Sequence, residues 1–107
     1  GAPSSIAALP PIAETVAQMG GGIEVWMDGG IRSGQDVLKA RALGAHATLI
    51  GRSFLYGLGA YGEAGVTRAL QIIQKELETT MAFCGHTNIN TVDRGILLPG
   101  TFPTAPL

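Results

Sequence analysis

Ile23-Glu24-Val25-Trp26-Met27-Asp28-Gly29-Gly30-Ile31-Arg32-Ser33 and, further along, Ala47-Thr48-Leu49-Ile50-Gly51-Arg52-Ser53 carry one pattern twice. Each opens on a short apolar run and closes on glycine, arginine and serine. Short apolar runs bounded by turn residues read as buried strands. Between the two, Ser33 with Asp36 three residues on resembles a capping box and starts a helix. Val37, Ala40 and Leu43 give that helix an apolar stripe, and Gly44 ends it. Strand, glycine turn, helix, strand, glycine turn is a βαβ unit, with parallel strands and a right-handed crossover.

Working outward, Gly1 to Met19 reads as a loop and then a helix, with Ser4 or Ser5 able to cap a turn. Pro10-Pro11 predicts a helix start rather than an interior, because proline has no N–H to give a preceding turn. Ile12, Val16 and Met19 then share one face, and Gly20-Gly21-Gly22 ends the element. On the other side, Phe54 to Gly62 reads as a non-helical segment rich in glycine and tyrosine. A long helix follows over Glu63 to Phe83, with Val66, Leu70, Ile73, Leu77 and Met81 as its stripe and Gly85 as its stop. Such a stripe also fits a coiled coil, but the strands before it favour a helix packed on a sheet. Thr101 to Leu107 has two prolines and no periodicity, so it is expected to be disordered or to extend along a partner surface.

The chain has 107 residues, enough for one domain at most. Seven basic and eight acidic residues leave a net charge of −1, which argues against a nucleic-acid surface. Charged residues are only 14% against 46% hydrophobic, so much of the surface is expected to pack against something else. No apolar run approaches membrane-spanning length, and the first residues do not form a secretory signal. Cys84 is the single cysteine, which excludes an intrachain disulfide and a multi-cysteine metal site. It fits a reducing compartment, so the expected location is the cytoplasm, with membrane association at most peripheral to the inner face. Two parallel strands do not make a stable sheet alone, so the chain reads as about a quarter of a βα-repeat protein.

The two glycine turns are the informative sites. Gly29 and Gly30 let main chain approach a bound group beside the N-terminus of the Ser33 helix, a natural anion site, and Arg32 adds a planar cationic fork. Gly51, Arg52 and Ser53 close the next strand and so fall on the same rim. Two such turns one βαβ step apart favour phosphate over turns that merely reverse the chain. Asp28 either contacts a ribose or ribityl hydroxyl or caps its own turn. His46 and His86 have no partner at ligand or catalytic spacing and read as surface or helix-end residues. Cys84, Trp26, Tyr56 and Tyr61 read as packed side chains. There is no Ser/His/Asp arrangement, metal cluster or acid–base pair, so the sequence offers a binding half-site without a catalytic residue or metal.

Asp28 to Ala45, then Thr48 to Leu58, then Gly62-Glu-Ala-Gly-Val66 and Glu76-Leu-Glu-Thr-Thr-Met81, closely resemble the FMN-dependent α-hydroxy-acid dehydrogenases and oxidases. Gly1 to Pro10 is similar to the segment just after that family's His-Gly-Gly-Arg motif. The resemblance implies the C-terminal portion of a TIM (β/α)8 barrel, strands seven and eight with their helices, with residues 1–107 forming an incomplete FMN-dependent dehydrogenase domain. It further implies FMN as cofactor, with Asp28, Gly29, Gly30, Ile31, Arg32, Gly51 and Arg52 holding its phosphate and ribityl chain. The expected substrate is a small 2-hydroxy acid, L-lactate on the wording of Trp26 to Gly62 and Ile96-Leu-Leu-Pro-Gly. The expected partners are the remainder of the barrel and further copies in a homo-oligomer. The family's histidine base would lie upstream of Gly1, which leaves the isolated chain inactive. Two alternatives stay open: a non-catalytic phosphate-binding half-barrel, and a piece of an inosine-phosphate-dehydrogenase-like barrel.

Overall fold

The computed structural model describes residues 1–103. Its elements run α1 (Ser5–Gln18), β1 (Trp26–Asp28), α2 (Gly34–Ala42), β2 (Ala47–Leu49) and α3 (Arg52–Phe83), followed by single 3-10 turns at Ile89–Thr91 and Arg94–Ile96. The last four residues of the expected tail lie outside the described residues, while Phe102 packs against the core.

β1 and β2 pair in parallel, with Trp26 beside Ala47, Met27 beside Thr48 and Asp28 beside Leu49. The βαβ reading therefore holds in the order and sense of its strands. Helices cover one face of this pair. Leu9 of α1, Val25 and Met27, Ile31, and Ala40 and Leu43 of α2 form the main core. Leu38 and Ala42 of α2 turn to a second cluster with Met81 of α3 and Val92. α2 is thus buried on two sides, a wider burial than the Val37–Ala40–Leu43 stripe implied.

α2 begins as expected, with the Ser33 hydroxyl accepting from the Asp36 amide at 3.2 Å. Its first residue lies hard against α3. A Cβ built on Gly34 would overlap the main chain of Ile73 and Leu77, so only glycine fits there. α3 accordingly packs on a helix, not on a sheet as expected.

Several further expectations are corrected. Pro10 and Pro11 lie inside α1, which starts earlier at the Ser4 cap. Their φ suits a helix, and burial of Leu9 and Pro10 offsets the missing amide donors. The inward face of α1 is Ile6, Leu9 and Val16, whereas Ile12 and Met19 are exposed. Trp26 is not core: it is 61% exposed on the open face of β1, because alternation along the strand sends Val25 and Met27 inward. Finally, Phe54 to Gly62 is helical rather than irregular, since α3 begins at Arg52 and breaks only at Tyr61 and Gly62. Gly57 and Gly65 meet main chain to main chain across that break. Tyr56, Tyr61 and Cys84 are exposed instead of packed, because they point away from the α2 contact.

Candidate functional site

The register that places Asp28 beside Leu49 brings both glycine turns to the carboxyl end of the sheet, each directly after its strand. The φ angles of Gly29 and Gly30, 96° and 78°, lie in the region open to glycine. Asp28, Gly29, Gly30, Arg32, Gly51 and Arg52 are all exposed on this rim. Ile31 differs: its side chain is 6% exposed and packs in the main core. It anchors the turn, and only its main chain remains for the rim.

The starts of α2 and α3 differ in what satisfies their amides. At α2, the Arg32 amide donates to Asp36 Oδ2 at 2.9 Å and the Asp36 amide to Ser33 Oγ. The Gly34 amide donates to Glu76 Oε1 at 3.2 Å, reaching across to α3. Two carboxylates thus already sit at the positive end of α2. At α3, Gly51 is the N-cap and no side chain caps the helix. Among the described residues, the amides of Gly30 and Ile31 likewise find no acceptor, whereas the Gly29 amide lies at the end of the ladder. The expectation of an anion beside the Ser33 helix is therefore refined, because that end is closed by its own side chains. The open donors are the Gly30 and Ile31 amides and the start of α3, with Arg32 and Arg52 in the same two turns. A Cβ at Gly30 or Gly51 would meet open space, so the rim is not filled by the chain itself. Free amides, an uncapped helix start and two guanidinium groups match a phosphate monoester.

A cavity of 510 Å³ backs onto the same turn from the α1 side, lined by Ser5, Met27, Gly29, Gly30, Leu43 and Phe102 among others. Asp28, both arginines and Gly51 lie outside it, so the rim and the cavity share only the Gly29–Ile31 turn.

Sequence reasoning missed two residues. Glu76 stands 42 positions from its partner Gly34, and nothing local marks the pairing. His46 sits at the opposite end of the strands. Its amide donates to the Val25 carbonyl at 2.7 Å, and its Nδ1 accepts from the Val25 amide at 2.9 Å. It is a structural clasp far from the rim. Among the described residues no cluster of histidine, cysteine and carboxylates suits a metal, and no helix is long and apolar enough to cross a membrane.

A parallel βαβ unit with helices on one face and two glycine turns on the carboxyl rim is consistent with a piece of a (β/α)8 barrel. A family model for FMN-dependent dehydrogenases matches residues 1–99, and the chain belongs to that family. L-lactate oxidase of Nostoc sp. is 46% identical over 93 residues, which is 87% of this chain and 26% of that protein. Pre-mycofactocin synthase of Mycolicibacterium smegmatis is 45% identical over 106 residues, 98% of this chain and 26% of that protein. The flavin-binding domain of baker's yeast flavocytochrome b2 superposes with a TM-score of 0.80 at 38% identity, covering 85% of this chain and 24% of its own. The chain spans about a quarter of the length of the curated relatives it matches.

Proposed function

We propose that these residues, as the seventh and eighth βα units of a barrel, hold the phosphate and ribityl chain of FMN in an enzyme that oxidises a 2-hydroxy acid, L-lactate being the substrate. The observation that carries the reading is the pairing of two Gly/Arg turns with unsatisfied amides on one rim, in a chain of an FMN-dependent family. Gly29 shapes the turn, the amides of Gly30 and Ile31 and those opening α3 would bind phosphate oxygens, Arg32 and Arg52 would neutralise the charge, and Asp28 would accept from a ribityl hydroxyl. FMN, when bound, supplies the acceptor for the two electrons leaving the substrate's α-carbon. The histidine base and the carboxylate-binding arginines belong to earlier strands, and His46 and His86 do not take their place. L-lactate is supported by the L-lactate oxidase relative. The similarity to a pre-mycofactocin synthase favours a second reading, in which the same FMN rim serves another substrate.

Titrating the chain with FMN and with riboflavin, which lacks the phosphate, tests the rim. FMN is expected to bind more tightly than riboflavin, and Arg32→Ala or Arg52→Ala to weaken FMN about tenfold each while leaving riboflavin unchanged. Equal binding of the two flavins removes the phosphate site. Turnover of L-lactate with a dye acceptor by the isolated chain would overturn the assignment of the base to another part of the barrel.

A further inference from the structure

We infer that Glu76 is a positioning residue for the phosphate-binding rim, an inference that rests on the reading of that rim given above. The rim has two halves, and both are tied to α3. Gly51 and Arg52 are at the start of that helix. Beyond the break at Tyr61 and Gly62, Glu76 reaches α2 and accepts from the Gly34 amide. Gly34 is the second residue after Arg32, whose amide donates to Asp36 Oδ2, while the Asp36 amide donates to Ser33 Oγ. A carboxylate on α3 therefore sets where the chain leaves the first glycine turn, while the same helix presents the second.

Two independent features show that this register is held tightly. The approach of Gly34 to Ile73 and Leu77 leaves no room for a Cβ, so α2 cannot shift toward α3. The Glu76 bond is part-buried and directional, so α2 does not slide along α3 without breaking it. The carboxylate also occupies the positive end of α2 together with Asp36. A bound phosphate is thereby directed to the uncapped start of α3 rather than to α2. Glu76 touches no ligand in this scheme; it acts through the position of the Gly29–Arg32 turn.

The test compares the chain with Glu76→Ala, which removes the acceptor, and Glu76→Gln, which keeps it. FMN affinity is measured well below every melting transition, alongside hydrogen exchange at the amides of Arg32, Gly34 and Asp36. Glu76→Ala is expected to weaken FMN about tenfold and to speed exchange at those amides, and Glu76→Gln to restore both nearly to the parent values. A purely structural glutamate would lower the melting temperature and leave the affinity of the folded chain unchanged, and that result overturns the inference. If Glu76→Ala does not fold, Glu76→Asp, whose carboxylate falls one methylene short, replaces it, and parent-like FMN affinity there overturns the inference. If the parent chain binds no FMN, the reading of the rim fails by itself. Exchange then decides the role of Glu76, and unchanged protection at the three amides overturns it.

Discussion

Gly34 shows how one missing side chain sets the distance between two helices. Its Cβ would collide with main chain at Ile73 and Leu77, and main chain does not rotate away as a flexible side chain would. Gly34→Ala is therefore expected to cost about 3 kcal/mol, despite alanine's better helix propensity. Urea unfolding measures this, and a stabilised variant would show that the two helices are free to separate. The rim glycines and arginines were legible in the sequence because each turn announces itself within a few residues. Gly34 and Glu76 were not, since the contact that gives each its role lies on a helix far along the chain. Ile31 was legible as part of the turn but not as its anchor, because only packing distinguishes a residue that faces a ligand from one that faces the core.

Among the elements, α3 departs most from its reading. The glycines and tyrosines over Phe54 to Gly62 lower helix propensity and suggest a loop, yet the chain is helical from Arg52 onward. The glycines serve the bend: Gly57 and Gly65 touch through their main chains, and Gly62 takes φ 60° and ψ −139° at the turn. Gly65→Ala is expected to push the two segments apart and so move the start of α3, with the second glycine turn, away from the first. The expected readout is a melting temperature lowered by several degrees, about 4–8 °C per kcal/mol for a chain of this size, together with weaker FMN binding. Unchanged values for both would mean that the segments do not need their close approach. α2, by contrast, was read correctly from its cap to its stop, because Ser33, Asp36 and Gly44 are local signals that tertiary packing reinforced.

At the level of the whole molecule, the low charge and high apolar content foreshadowed the open sheet. One face of β1 and β2 is covered by helices, while Trp26 and Leu49 stand exposed on the other. In a closed barrel that face would look inward. Substituting there should cost little in this chain: Trp26→Ser and Leu49→Ser are each expected to change unfolding free energy by no more than about 0.5 kcal/mol. Sedimentation velocity should show less self-association in the double variant, because a contiguous apolar surface has been removed. A sharp loss of stability from Trp26→Ser would place that ring in a packed interior instead. The strand count in the sequence foreshadowed an incomplete sheet, but no composition tells which face of a strand is left open.

The His46 clasp and the open rim lie at opposite ends of the same two strands. At the His46 end, main chain and imidazole together tie Val25, the residue before β1, to the residue before β2. At the other, the Gly30 amide has no partner among the described residues. The pair therefore resembles a pair of tweezers, fastened at the hinge and open at the tips. On the proposed function, an anion gripped at the tips would supply the bonds that the protein leaves unmade there, so order at the mouth would arrive with the ligand and part of the binding energy would be spent on fastening it.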